Sequence, residues 1–263
     1  MPALSLPIRL SLAAPAYNEA EGIEHVIAEW HNFLSVQAGL AEFEIVICDD
    51  GSKDATGDIL DRLTLSYPQL RPLHFASNQG AAAALNAAIA ATKGDWILLM
   101  DSDGQFAIEN LPDMLTAIDR SGAQAAIGIR RKKDVAFAQF GSWASGLACN
   151  LVHGSRLKDF NSAFKLVWGP TLRGLGLEAK GMNYSTEVTS RLLECGIVPV
   201  EVDVAHRPRT TGVSSMKLVR GAAHRFLFVI YIALRQLLLR HHRSQQRPQF
   251  WQEPPYWCVW WTV

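Results

Sequence analysis

The chain has 263 residues, which is enough for one large domain or two small ones, and with 49% hydrophobic and 19% charged residues it can bury a full core. Its formal net charge of zero argues against a nucleic-acid-binding protein driven by bulk positive charge. The four cysteines are scattered and form no C-x-x-C pair, so neither a zinc site nor a disulfide framework is indicated, and a cytoplasmic, reducing compartment is expected.

Apolar runs alternate with segments of helical spacing along the first 130 residues. This alternation predicts βαβ units, and therefore an α/β fold with a mostly parallel central sheet flanked by helices. The predicted strands are 8–13, 43–48, 70–75, 96–100 and 123–129, and the predicted helices are 21–36, 54–66, 81–91 and 111–120.

The pattern changes after residue 129, where a basic run over 130–134 begins. No apolar stretch in this half reaches the roughly 20 residues that a membrane-spanning helix needs, and the run over 226–234 is bracketed by Arg225 and Arg235. The N-terminus has no signal-peptide pattern. The predicted helices of this half are 136–153, 183–195 and 216–240, and the predicted strands are 166–168 and 197–204.

Acidic side chains follow two of the predicted strands at the point where each strand ends. Asp101 and Asp103 come directly after the fourth strand, and Asp50 follows the second. The carboxyl ends of parallel strands lie along one edge of a sheet, where open α/β sheets bind their ligands. Two carboxylates spaced by one residue, with the amide of Gln105 close by, suit a hard divalent cation that carries phosphates. The alternative is an acidic surface turn.

The ordered set of motifs resembles that of the inverting family 2 glycosyltransferases with the GT-A fold. Two later motifs are similar to those of the dolichyl-phosphate mannosyltransferase-like branch, which includes bacterial polyprenyl-phosphate hexosyltransferases. Ala163 stands where that branch usually has glycine, and Lys217 is displaced from the usual position of a lysine. The early motifs lie at 15–19, 49–52, 78–80 and 101–105, and the later ones at 159–165 and 209–214.

This resemblance implies a hexosyltransferase that uses Mg²⁺ or Mn²⁺ and a nucleotide-diphosphate sugar of the GDP-mannose or UDP-glucose type. The implied acceptor is a polyprenyl or dolichyl phosphate, reached peripherally at the cytoplasmic face of a membrane, and no nucleic acid is involved. We expect residues 1–240 to form the catalytic domain and assign no structure to the basic, Trp-rich tail over 241–263.

The resemblance also implies roles for individual residues. A lipid phosphate is already an anion, so the acceptor needs cations that position it and no strong general base. The implied metal ligands are Asp101, Asp103 and Gln105; the substrate-binding residues are Pro15, Tyr17, Glu19, Asp50, Asp101, Arg131, Ser162, Lys165 and Ser214; the catalytic ones are Asp103, Arg130, Glu187 and Arg209.

Several alternatives stay open. A transferase acting on a saccharide hydroxyl would need a carboxylate base, and Glu187 or Asp159 would have to serve. Glu187 could equally be a sugar ligand or an exposed helix residue, and Glu19 a first-turn helix residue favoured by the helix dipole. A nucleotide-binding subunit without catalysis is disfavoured by the intact Asp101 and Asp103. The basic helix over 216–240 would either lie on a membrane surface or pack on the domain.

Overall fold

The computed structural model describes residues 7–130, 136–179, 183–207 and 227–237, which contain seven strands, eight α-helices and one short 3-10 helix (Ile108–Asn110). The strands are β1 (Ile8–Ala16), β2 (Leu40–Asp49), β3 (Leu70–His74), β4 (Trp96–Leu99), β5 (Ala125–Arg130), β6 (Lys165–Trp168) and β7 (Val200–Val204). The helices are α1 (Ile23–Val36), α2 (Thr56–Leu63), α3 (Ala81–Ala91), α4 (Leu111–Ser121), α5 (Ala136–His153), α6 (Gly169–Arg173), α7 (Tyr184–Glu194) and α8 (227–237).

The strands form one sheet in the order β3-β2-β1-β4-β6-β5-β7. All neighbouring pairs are parallel except those of β6, which runs antiparallel to both β4 and β5. The first residue of β6, Lys165, therefore pairs with Leu99 near the end of β4 and with Ile127 in β5. We call the edge of the sheet where the parallel strands end the carboxyl edge, and β6 begins there.

The central strands are buried on both faces, as their continuous apolar runs predict. All four residues of β4 are buried, and so are the last seven of β1. Helix α3 packs against β1 and β2, and its alanines permit this close approach. The loops at the carboxyl edge thus stand on a rigid, close-packed support.

The predicted alternation of strands and helices is confirmed, and α3 and α5 have the predicted bounds. Strand β1 runs three residues further than predicted, to Ala16, because its pairing with β2 continues to the partners Ala16 and Asp49. Helix α1 begins later than predicted, at Ile23. Of the helix predicted over 216–240, only 227–237 lies within the described residues; Arg131, Arg209, Ser214 and the tail over 241–263 lie outside them.

The loop after β2 lies directly against the loop after β3. Gly51 has a φ of +67°, and a Cβ there would lie 2.5 Å from the carbonyl carbon of Ser77. Gly122, which ends α4, has a similar φ of +65° but nothing within 4 Å of its Cβ position. The two glycines therefore share a backbone conformation but differ in how closely another chain segment approaches.

We predict that Gly122→Ala lowers the free energy of unfolding by about 1–2 kcal/mol, the usual cost of a left-handed alanine. Gly51→Ala is expected to cost clearly more, because the Ser77 backbone must also move. Urea unfolding of both variants measures the two losses. Equal losses would show that the contact between the two loops contributes nothing to stability.

Candidate active site

The turn that follows β4 carries the two carboxylates of the D-x-D motif. The buried Ser102 hydroxyl donates to the carbonyl oxygen of Pro15 at 2.7 Å, which fixes the turn to the end of β1. The backbone N–H of Gln105 donates to Asp103 Oδ1 at 3.1 Å. Asp101 and Asp103 flank the anchored serine, so their carboxylates are held in place by the sheet itself.

Tyr184, the first residue of α7, donates its hydroxyl hydrogen bond to Asp101 Oδ1. Burial and the nearby charge of Asp103 raise the pKa of Asp101 to about 6, and the Tyr184 hydrogen bond and the cations Arg130 and Lys165 act in the opposite direction. Burial also raises the pKa of Tyr184 well above its usual value, so the phenol stays a donor. Sequence reasoning missed Tyr184; its place one helical turn before Glu187 was the available signal.

Arg130 forms a two-point ion pair with Asp159, the acidic residue of the later motif. Its Nε lies 2.8 Å from Asp159 Oδ2 and its Nη2 lies 2.9 Å from Oδ1. Burial alone would lower the pKa of Arg130, but the Asp159 carboxylate more than offsets this, so the pKa is raised. The guanidinium is therefore permanently charged and held rigidly, in the geometry that suits planar oxyanions.

Lys165 is almost completely buried, with 1% of its surface exposed, and its Nζ donates to the carbonyl oxygen of Ser162. Burial lowers the pKa of this amine to about 7, although the charges of Asp159 and Asp101 raise it. The Ser162 hydroxyl is also buried and has no hydrogen-bond partner among the described residues. The start of β6 thus offers an ammonium and a hydroxyl donor beside the D-x-D turn.

Asp50 ties the loop after β2 to the start of α3. Its carboxylate accepts hydrogen bonds from the backbone amides of Gln79 at 2.7 Å and Gly80 at 2.9 Å. Burial raises the pKa of Asp50, and these two amides act against that rise. The predicted contact of Asp50 with the nucleotide stays a prediction; the contact that the structure shows is with the 78–80 turn.

The end of β1 and the segment that follows it bring Pro15, Tyr17 and Glu19 to the same edge. Pro15 is buried, Tyr17 and Glu19 are half-buried, and the Glu19 amide donates to Thr56 Oγ1 at 2.9 Å. The interpretation of Glu19 as a first-turn helix residue is wrong, since α1 begins only at Ile23.

Glu187 is buried, and the interpretation of it as an exposed helix residue is wrong. Its carboxylate accepts hydrogen bonds from the backbone amides of Glu178 at 2.8 Å and Ala179 at 2.7 Å. Arg191 Nη2 lies 3.2 Å from the same carboxylate. Glu187 therefore holds the segment that precedes α7, and its predicted catalytic role stays a prediction.

The oxygen ligands at the D-x-D turn fit a hard divalent cation. Asp101 and Asp103 supply two carboxylates, and a cation held by them would offset the burial and the repulsion from Asp103 that raise the pKa of Asp101. No cluster of three His, Cys, Asp or Glu side chains with metal-binding geometry occurs among the described residues. A cation here would share its remaining coordination positions with ligand oxygens and water.

The family model for glycosyl transferase family 2 matches residues 11–165, which run from β1 to the start of β6. The chain belongs to glycosyl transferase family 2. The matched region contains Asp50, the D-x-D turn and the Arg130–Asp159 pair.

Two similar relatives are bacterial. The chain is 28% identical over 221 residues to the undecaprenyl-phosphate mannosyltransferase of Micrococcus luteus, covering 80% of this chain and 88% of the relative. It is 28% identical over 237 residues to the polyprenol monophosphomannose synthase of Mycolicibacterium smegmatis, covering 82% and 84% of the two chains.

The fold is that of GT-A glycosyltransferases, as predicted. Among solved structures, a mannosyltransferase of Pyrobaculum calidifontis in complex with GDP-Man and Mn²⁺ superimposes with a TM-score of 0.60. The two proteins are 17% identical, and the superposition covers 98% of this chain and 70% of the other.

We predict that Tyr184→Phe raises the pKa of Asp101 above its value of about 6, because the hydrogen bond that stabilises the carboxylate is lost. Carboxyl ¹³C NMR titration of the metal-free protein measures the shift. Tyr231→Phe is the matched control, since the Tyr231 hydroxyl donates to Glu178 and not to Asp101. An unchanged Asp101 titration in Tyr184→Phe would contradict the assigned hydrogen bond.

Proposed function

We propose that this family 2 glycosyltransferase moves a hexose from a nucleotide-diphosphate sugar to a polyprenyl phosphate. The observation that carries the proposal is the neighbourhood of opposite charges at the carboxyl edge: the carboxylates of Asp101 and Asp103 lie beside the cations Arg130 and Lys165. Such a site suits two phosphate-bearing substrates, one bound through a cation and the other bound directly. The two bacterial relatives, an undecaprenyl-phosphate mannosyltransferase and a polyprenol monophosphomannose synthase, support the choice of acceptor.

On the donor side, Asp101, Asp103 and Gln105 would hold Mg²⁺ or Mn²⁺. A bound dication neutralises the negative charge that develops on the leaving diphosphate. The nucleotide pocket would be lined by Pro15, Tyr17, Glu19 and Asp50, since all four lie at or directly after the carboxyl ends of β1 and β2. The Mn²⁺ and GDP-Man named for the archaeal mannosyltransferase support this assignment.

On the acceptor side, Arg130 and Lys165 would bind the lipid phosphate. Asp159 engages Nε and Nη2 of Arg130, which leaves Nη1 to donate to a phosphate oxygen. A phosphate beside Lys165 favours the charged amine and so raises its pKa again from about 7. Ser162 would add a hydroxyl donor. The family resemblance further implies Arg131 as a cation for the acceptor phosphate, Arg209 for either the diphosphate or the acceptor, and Ser214 as a substrate-binding residue.

A saccharide hydroxyl acceptor is the weaker alternative, because it requires a general base. The two carboxylates considered for that role are both engaged: Asp159 pairs with Arg130, and Glu187 accepts two backbone amides and Arg191. A phosphate acceptor needs no base, so it agrees better with these contacts. Glu187 then acts as a positioning residue for the segment before α7.

The direct test incubates the protein and Mn²⁺ with a panel of radiolabelled nucleotide sugars and polyprenyl phosphate, followed by lipid extraction. Radioactivity in the organic phase with at least one donor is the expected result. Tight nucleotide binding without turnover of any donor would instead favour a non-catalytic subunit, and label transferred only to a saccharide would favour a hydroxyl acceptor.

We predict that Asp103→Asn lowers metal-dependent transfer by about 100-fold or more, because a metal ion contributes several kcal/mol to the stabilisation of transition-state charge. Asp119→Asn is the control, since Asp119 is exposed on α4. Initial rates across a Mn²⁺ titration check both variants, and a rate for Asp103→Asn within threefold of the wild type would contradict the metal role.

The Arg130 role requires a variant that leaves no unpaired buried charge. We therefore compare Arg130→Met in an Asp159→Asn background with Asp159→Asn alone. Loss of the guanidinium should lower kcat/KM for polyprenyl phosphate about tenfold or more, the value of one or two charge-assisted hydrogen bonds. Nucleotide affinity should change much less; equal losses for donor and acceptor would exclude acceptor positioning by Arg130.

A further inference from the structure

Helices α5 and α8 pack against one buried apolar cluster on the side of the domain. Cys149 from α5 and Ile232 from α8 meet Leu157 and Phe160 in this cluster. Phe228 of α8 also packs against it. The inner faces of α5 and α8 therefore pack against the same apolar cluster.

The opposite face of each helix exposes an apolar stripe. On α5 the stripe is Trp143, Leu147 and Leu151, spaced by one helical turn, with exposed fractions of 58%, 45% and 75%. On α8 the stripe is Leu227, Ile230, Leu234 and Leu237, which are three or four residues apart, with exposed fractions of 62%, 40%, 57% and 60%. We call these seven side chains the two-helix surface.

Exposed apolar residues are otherwise rare in the described part of the chain. Of its eleven exposed large hydrophobic residues, eight lie on α5 and α8, and the other three are Val36, Leu65 and Val198. Single exposed apolar side chains are ordinary, but a concentrated patch marks an interaction surface.

The charges that flank the two helices in the sequence indicate the chemistry of the partner. Neither α5 nor α8 contains an acidic residue, and α8 carries one arginine, Arg235. The sequence flanking both helices is predominantly basic: Arg131, Lys132 and Lys133, with one acidic residue, Asp134, precede α5; Arg220 and Arg225 precede α8; and Arg240, His241, His242 and Arg243 follow it. Apolar stripes with cationic flanks complement a surface that is apolar within and anionic outside, as an acidic lipid bilayer is.

We propose that the two-helix surface docks on an anionic lipid bilayer, with its leucines and Trp143 inserted at the level of the headgroups. No helix in the described ranges is long and apolar enough to cross a membrane, so this contact lies in the plane of the interface. The proposal deepens the proposed function, because it brings the enzyme to the phase in which a polyprenyl acceptor resides.

Direct contacts connect the two-helix surface to the candidate active site. Arg235 of α8 donates to Glu194 of α7 at 3.0 Å, and Tyr231 donates to Glu178 at 2.7 Å. Helix α7 carries Tyr184, which holds Asp101. At the other side, α5 begins shortly after Arg130. The surface is thus linked through α7 to the D-x-D turn, and through the chain to the strand that ends at Arg130.

The test measures co-sedimentation of the full chain with vesicles of phosphatidylcholine containing 30% phosphatidylglycerol and no polyprenyl phosphate. Leu151→Glu with Leu237→Glu should weaken binding at least tenfold, because two inserted side chains become charged and are repelled. Val36→Glu with Leu65→Glu is the matched control, with the same charge change at exposed sites outside the two helices, and should bind within twofold of wild type. Leu151→Ser with Leu237→Ser, which adds no charge, should show an intermediate loss.

Other occupants of the surface give different results. Equal vesicle binding by the leucine variants and the control would overturn the proposal. A wild-type dimer in light scattering that the leucine variants dissociate, without any vesicle binding, would assign the surface to a second copy of the chain. A red shift of tryptophan fluorescence in the leucine variants without lipid, again with no vesicle binding, would assign it to the Trp-rich tail.

Failure of this proposal is distinguishable from failure of the proposed function. Vesicle binding is measured without donor or acceptor, and thermal unfolding of each variant confirms that it is folded. Transfer to a detergent-solubilised polyprenyl phosphate is measured separately and should stay within threefold of wild type in the leucine variants.

Discussion

The burial of four charges at one edge of the sheet is the constraint on which the site depends. Asp101, Asp159, Arg130 and Lys165 are each removed from water to a large extent, and a buried charge is costly unless another compensates it. Arg130 and Asp159 compensate each other directly. Asp101 and Lys165 are compensated only partly, and burial moves their pKa values to about 6 and about 7. These two groups therefore gain most from charged ligands, and the proposed phosphate contact of Arg130 is added to its pairing with Asp159.

The reversal of one strand creates this arrangement. Strand β6 enters between β4 and β5 and runs against both, so its first residue reaches the edge where its neighbours end. If β6 were parallel to its neighbours, its last residue would lie at the carboxyl edge. Its first residue, Lys165, would then lie at the opposite edge of the sheet. The parallel half, β1 to β3, retains the loops assigned to the nucleotide, and the site is divided into a donor half and an acceptor half.

Helix α7 joins the parts of the molecule that the proposed reaction must coordinate. Its first residue, Tyr184, contacts Asp101, and its next turn carries Glu187, which holds the backbone at Glu178 and Ala179. Its last residue, Glu194, accepts the hydrogen bond of Arg235 from α8. One rigid helix therefore positions the D-x-D turn, the adjoining loop and the proposed membrane-facing helix relative to one another.

The sequence by itself determined the alternation of strands and helices and the placement of Asp50, Asp101 and Asp103 at one edge, because hydrophobic periodicity is local and parallel strands must end together. It did not determine the partners of these groups. Tyr184 is 83 positions from Asp101, and Asp159 is 29 from Arg130. Such contacts depend on the order and direction of strands, above all on β6, and no local pattern records that order. Only the tertiary structure decided them, because each buried charge is stabilised by a residue that is distant in the sequence and that the sheet places beside it.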